Sequence, residues 1–437
     1  MPVFRALIIA IAIVFAFSLV GIVPEAAASN GGNNFNSSAT TIKKKKKTPA
    51  QVKQAKPKKA VASASNAPAK GETRYRKDEV LFVLAGGKTD DDLQDLIRKE
   101  ALRRIDEADM ALLQRRVHRY AITDGRSVAQ VITALEADGR VALAQPNYIY
   151  ELAEEASAGL QFANDLVHLS AAHEVATGKG IVIGLVDSRV DISHPALAGS
   201  VKEIFSSVDN PSTAADGHGT AMAGTIAAHG DMLTGMAPAA ELVAAEVFSR
   251  DAAGKMEGVT YHILRGIDWV YGNGAAVINM SFAGPRDPLI GDIVKAATDA
   301  GRILVAAAGN AGAKAPPLFP AADGNVIAVS AVDHDRKVFS GANRGKYIDI
   351  AAPGVEVLVI QPGNGTGLST GTSVATAHVT GLLALALERA RHLDRKAAGS
   401  LIAKAAQQLD APATAVGAGL IDALATTTEA TAAAVQQ

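Results

Sequence analysis

Six apolar, β-rich runs recur between residue 160 and about residue 425: "IVIGLV", "ELVAAEVF", "AAVINMSF", "RILVAAAG", "NVIAVSAV" and "YIDIAAP", with helical stretches between them. Strands that are apolar on both faces and separated by helices predict a parallel sheet covered by helices on both sides, an α/β fold. In such a sheet the carboxyl ends of the strands open onto the functional crevice. Polar residues just beyond the strands are therefore the ones to weigh. A chain of 437 residues has room for this domain and a smaller one.

The smaller one is legible from Tyr75 to Glu151. A strand-like "DEVLFVLA" is followed by an amphipathic helix from Asp90 to about Arg104, a strand near "RRVHRYAI", a helix from Ser127 to Ala137, and "VALAQPNYIYEL". This β-α-β-α-β string predicts a compact α+β domain with helices on one sheet. Ahead of it, residues 29–74 hold the lysine run Lys43 to Lys47 and little that could enter a core, which predicts a disordered linker. Its lysines could touch an anionic membrane or cell wall. Residues 1–28 run from Arg5 through the apolar stretch Ala6 to Val23 to Ala26-Ala27-Ala28, the order of a secretory signal, so a secreted or periplasmic protein is expected. The apolar run is long enough to leave an uncleaved N-terminal anchor open. Residues 426–437 are expected to form a flexible C-terminal tail.

Composition removes several chemistries. There is no cysteine, so disulfides, thiolate metal sites and cysteine nucleophiles are excluded. The net charge of −1 divides into −7 from residue 161 onward and +6 before it. An acidic folded domain argues against nucleic acid as a partner.

Four polar residues stand where the crevice should be. Asp187 follows "IVIGLV" directly, and His218 opens the small-residue helix of "DGHGTAMAGTIAA". Asn310 follows "RILVAAAG", where Gly309 lets backbone approach a ligand. Ser373, in "STGTSVATAHVTG", stands at the start of an apolar helix. Read alone, each has a structural explanation: a serine caps a helix, a histidine satisfies local hydrogen bonds. Together they supply a nucleophile, a base, an orienting acid and an amide donor.

In this order and spacing the chain resembles the subtilisin-like (subtilase, peptidase family S8) serine proteases. The resemblance runs through "VDSRVD", "GHGTAMAGTIAA", "NMSFAGP", "AAAGN", "VIAVSAV", "IAAPG" and "GTSVATAHVTG" to "GAGLIDA". It implies a subtilisin-like catalytic domain over 160–425, with Asp187, His218 and Ser373 catalytic and Asn310 in the oxyanion hole. A substrate strand would lie against Ser281, Phe282 and Ala283, its side chain lodged beside Ala307, Ala308 and Gly309. Those walls carry no charge, so an apolar or medium-sized residue is expected before the cut bond. The segment 75–155 resembles the family's inhibitory propeptide, here ferredoxin-like, which implies a zymogen that removes its own leader somewhere after Tyr150, at a bond the sequence does not fix. The partners implied are polypeptide substrates and the chain's own propeptide.

Departures from the family pattern are also visible. Arg189 replaces the Gly that usually follows Asp-Ser, Ala283 a Gly, Ala377 a Pro and Ala221 a second His. Arg189, Ala283 and Ala377 motivate an alternative, a catalytically impaired subtilase scaffold acting as a binding protein. The loop "AAHGDMLTGMAP" is shorter than the one that carries the family's tight calcium site, so no metal or cofactor is expected, with weak calcium binding left open. An α/β-hydrolase is excluded, because that fold wants G-x-S-x-G and the order Ser, Asp, His.

Overall fold

The computed structural model describes residues 65–152, 162–211, 213–230, 233–251 and 254–435. The signal, most of the Lys-rich linker and residues 153–161, where the propeptide was expected to end, lie outside the described residues. Ser65 Oγ and Asn66 N, at the end of the expected linker, both donate to Glu136, at 2.6 and 2.7 Å.

The first domain runs β1 (Tyr75–Leu84), α1 (Asp90–Lys99), β2 (Leu102–Met110), β3 (Arg115–Ile122), α2 (Val128–Glu136) and β4 (Val141–Leu152), with strand order β2-β3-β1-β4. This is a β-α-β-β-α-β ferredoxin-like unit with one strand more than the sequence reading gave it. The helix expected to reach Arg104 stops at Lys99, because Ala101 adopts φ 49° and turns the chain into β2. As an edge strand, "LRRIDEADM" buries only Leu102 and Met110 and shows no alternation to read. Both helices begin with capping boxes, Thr89 with Asp92 and Ser127 with Gln130. Strand β1 has the two-residue period of a sheet buried on both faces. Val80 and Phe82 pack with Leu96, Val131, Ile132 and Leu135 under the domain's own helices. Leu81 and Val83 join Val117, Tyr148, Tyr261 and Leu264 on the opposite face, against the second domain.

After α3 (Phe162–Leu166) and α4 (Leu169–His173), the second domain alternates β5 (Val182–Asp187), β6 (Val201–Ser206), α5 (Gly217–Ala227), β7 (Glu241–Glu246), the hairpin β8 (Phe248–Arg250) and β9 (Met256–Val259), α6 (Thr260–Gly272), β10 (Val277–Met280), β11 (Phe282–Ala283), α7 (Pro288–Asp299), β12 (Ile303–Ala307), β13 (Val326–Val332), β14 (Ile350–Pro353), the hairpin β15 (Val357–Gln361) and β16 (Gly365–Ser369), and α8 (Thr372–Arg389). Helices α9 (Arg395–Ala405), α10 (Ala413–Val416) and α11 (Ala423–Val435) close the chain. The six apolar runs all enter one parallel sheet, ordered β14-β13-β12-β10-β5-β7-β6. Helices α5 and α8 cover one face, α6 and α7 the other. Helix α8 is buried on every side from Thr372 to Leu387, which is why its sequence lacks an amphipathic period. In place of the flexible tail expected over 426–437, α11 continues to Val435 and buries Thr426, Thr427 and Ala430. Alanine-rich sequence favours helix, and the Thr427 hydroxyl is satisfied by the Ala423 carbonyl at 2.9 Å.

Candidate active site

Asp187 is the last residue of β5 and fully buried. Its Oδ1 lies 2.6 Å from Nδ1 of His218, in the first turn of α5. A carboxylate can only accept, so Nδ1 carries the proton and donates it to this bond. Two supports hold the pair. Ser188 N donates to the same Oδ1 at 2.7 Å, and Asp216, the N-cap of α5, accepts from His218 N at 3.0 Å and from Ser188 Oγ at 2.9 Å. At Gly219 a Cβ would stand 2.2 Å from the Ser188 carbonyl oxygen, so only glycine lets α5 start this close to β5. The sequence reading did not single out Asp216. The available signal was its place one residue before the helix, where an aspartate caps.

Ser373 lies in the first turn of α8, fully buried, and its Oγ donates to the Ser281 carbonyl at 3.0 Å while Ser281 Oγ donates to the Ser373 carbonyl at 3.1 Å. Asn279 and Thr380 extend this tie between β10 and α8, through 2.9 Å bonds at Ser281 Oγ and Asn279 Oδ1. The sheet register joins the two halves. Asn279 is opposite Leu185 on β5, so Ser281 and Asp187, each two residues further on, emerge from neighbouring strand ends. On the other side Met280 is opposite Ala306, which sets Ser281 beside Ala307. Asn310 accepts from Thr372 N at 3.1 Å and Thr372 Oγ1 at 2.9 Å, so its Oδ1 is held. Its Nδ2 is buried without a hydrogen-bond partner, a costly state for a donor unless a ligand uses it.

The departures are accommodated. Arg189 is absent from the positive-φ residues, so its backbone needs no glycine, and its Nη1 pairs with the buried Glu246 Oε2 at 3.1 Å. Ala377 and Ala221 are fully buried in α8 and α5 as ordinary helix residues. Ala283 is paired in a sheet with the first domain.

That pairing fills the crevice. Strand β4 lies antiparallel between β9, with Tyr150 opposite Gly258, and β11, with Glu151 opposite Ala283 and Leu152 opposite Phe282. The first domain also caps two helices of the second: Asn147 Oδ1 accepts from Tyr261 N at 3.3 Å in α6, and Gln145 Oε1 from Leu289 N at 3.1 Å in α7. Ala307 and Ala308 are fully buried, and Gly309 adopts φ +100° with Leu318 and Asn343 against it. Among the described residues no group of three or more His, Asp or Glu side chains gathers to hold a metal ion.

Residues 178–419 match the model of the subtilase family. The chain belongs to the subtilase family. This subtilase also carries, over residues 61–147, a match to the fervidolysin N-terminal prodomain. It is 34% identical over 277 residues to a thermophilic serine proteinase of Bacillus sp. (strain AK1), covering 61% of this chain and 68% of that one. It is 32% identical over 268 residues to subtilisin E of Bacillus subtilis (strain 168), covering 60% and 68%. Among solved structures it resembles fervidolysin from Fervidobacterium pennivorans, described as a keratinolytic enzyme related to subtilisin, with a TM-score of 0.70 and 23% identity over 81% of this chain and 61% of that one. That likeness shows the subtilisin-like fold with its prodomain.

Proposed function

We propose that this subtilase is an exported serine endopeptidase, made as a zymogen, that cuts peptide bonds through Asp187, His218 and Ser373. The observation that carries the reading is the buried 2.6 Å Asp187–His218 bond at the strand end next to the one that holds Ser373 through Ser281, together with the unpartnered Asn310 amide. Asp187 fixes the tautomer in which His218 Nε2 holds a lone pair and stabilises the imidazolium that forms. Rotation about χ1 turns Ser373 Oγ from the Ser281 carbonyl toward that nitrogen. Oγ then bonds to the substrate carbonyl carbon, its proton moves to Nε2, and the carbonyl electron pair goes to oxygen. Asn310 Nδ2 and the Ser373 backbone N–H receive that oxygen, helped by the α8 N-terminus. The tetrahedral adduct collapses, the amine leaves with the proton from Nε2, and water attacks the acyl-enzyme by the same path.

Strand β4 stands in this reading for a bound substrate strand, which makes the first domain an intramolecular inhibitor. The uncharged walls Ala307, Ala308 and Gly309 favour an apolar or medium-sized residue before the cut bond; a peptide panel cut only after Lys or Arg would refute this. The impaired-scaffold alternative, motivated by Arg189, Ala283 and Ala377, is weakened by the partner and the ordinary backbone of Arg189. Mass spectrometry of the purified protein beside Ser373→Ala tests the proposal. The active chain should shed its first domain while S373A stays intact; equal processing of both would overturn it.

A further inference from the structure

This inference rests on reading Ser373 as the nucleophile and Ala307, Ala308 and Gly309 as a wall beside the residue before the cut bond, and it narrows what that wall admits. Strands β10 and β12 run paired as far as Met280 opposite Ala306. Beyond that point they part. Phe282 and Ala283 pair instead with β4, and a slot for one side chain is left between residues 281–283 and 307–309.

The far end of the slot is closed by a later stretch of chain. Phe319 N donates to the Gly284 carbonyl at 3.0 Å, its own carbonyl accepts from Gly284 N at 2.8 Å, and Ala322 N donates to the Leu318 carbonyl at 2.9 Å. These bonds fix the Leu318 backbone just past the end of β11. From there its side chain reaches the opposite wall: a Cβ at Gly309 would stand 2.7 Å from Leu318 Cδ1. A leucine methyl group therefore rests on the Gly309 backbone, and Asn343 Nδ2 packs on the same glycine, 3.1 Å from that Cβ position. All of these residues belong to the second domain, so release of the first leaves the closure in place.

The room that remains is short. Two residues of chain, from Ala307 to Gly309, span at most about 7 Å, and a carbon in contact holds other carbons about 4 Å away. That leaves about 3 Å, enough for a methyl or hydroxymethyl group and too little for a branched chain or a ring. We propose that Leu318 is a specificity-determining residue that restricts the position before the cut bond to alanine, serine or glycine. The chain's own sequence agrees. Leu152 pairs with Phe282, so the strand position opposite Ser281 is one past Leu152, where the sequence has Ala153.

The test uses the processed enzyme and peptides with identical flanks that carry Ala, Leu or Phe before the cut bond. We expect kcat/KM to favour Ala over both others by about tenfold or more, the cost of forcing extra carbons into a filled site. Leu or Phe cut within about twofold of Ala, or faster, would overturn the proposal without needing a variant. Leu318→Gly removes the obstruction, and its Phe-to-Ala ratio should rise by about tenfold or more; an unchanged ratio overturns the proposal as well. Each ratio is read within one preparation, so a smaller folded fraction cancels. If no peptide is cut and Ser373 takes no fluorophosphonate label, the protease reading itself fails. A labelled Ser373 that leaves the Ala peptide uncut, or cuts Leu or Phe as fast, defeats only the role of Leu318.

Discussion

At the scale of single residues, the site depends on groups whose burial leaves no room for loose geometry. Replacing Asn310 by Ala should lower kcat by about 10²–10³-fold with little change in KM, a magnitude known from subtilisin. Steady-state kinetics check it, and a KM effect alone would reassign Asn310 to substrate binding. Arg189 is half of a pair whose acid is buried, so Arg189→Gly should cost about 1–3 kcal/mol, and adding Glu246→Gln should restore most of it. Urea unfolding of the S373A background measures both. His378, buried in α8 with Nδ1 on the Val374 carbonyl at 2.9 Å, is pushed down by burial to about 4 from 6.5. The unfolded chain therefore binds a proton that the folded one refuses between those values, and stability falls as pH drops from 6.5 to 4, by about 3 kcal/mol. His378→Asn should flatten that slope; an unchanged slope contradicts the assignment. Asp187, His218, Asn310 and Ser373 were legible because polar residues just past apolar strands or at helix starts stand out. Asp287 and Glu246 were not. An acid before a proline reads only as a helix cap, and what else it faces is decided by a strand 142 residues away in the chain, that of Gln145.

Among elements, the sheet was legible wherever strands are apolar on both faces. Strand β2 and the hairpins β8–β9 and β15–β16 were not, because edge strands and short ribbons mix charged and apolar residues without a period. Of the two missed hairpins, β8–β9 is the one that matters for the proposed substrate site, since β9 supplies Gly258 opposite Tyr150. Register also gives a processing site. In the pairing of β4 with β11, the strand position one beyond the partner of Phe282 falls opposite Ser281, whose carbonyl accepts from Ser373 Oγ, so the first cut is expected one residue past Leu152. N-terminal sequencing of the earliest processed species should begin at Glu154; a first cut at another bond would contradict the register.

Across the whole molecule, the two domains are joined by an apolar face, the pairing of β4 with β9 and β11, two helix caps and several ion pairs, one of them made by the buried Arg119. Arg119, 4% exposed on β3, makes paired bonds to Glu79 at 2.9 and 3.0 Å and reaches across to Asp209 at 2.9 Å. His262 and then Arg119 hold the Asp209 carboxyl well below its usual range. Burial pushes Glu79 up, but Arg119 and Asn147 outweigh it and leave it lowered. Depressed carboxylates contribute fully above their ordinary values of 3.8 and 4.5 and lose that contribution as pH falls through the depressed ones. Of the contacts of Glu79 and Asp209 only Arg119–Asp209 crosses between the domains, so the cleaved prodomain should co-elute with the enzyme from pH 7 to 5 and be held less tightly as pH falls below about 4, and Asp209→Asn should loosen it already at neutral pH. Release that is independent of pH would remove the cluster from the account. The central claim is that His218, aligned by Asp187, activates Ser373. Its most direct measurement is the rate of fluorophosphonate labelling, with the adduct mapped by peptide mass. The processed enzyme should label at Ser373 alone and His218→Ala should label far more slowly; an adduct on another residue, or equal rates, would contradict it.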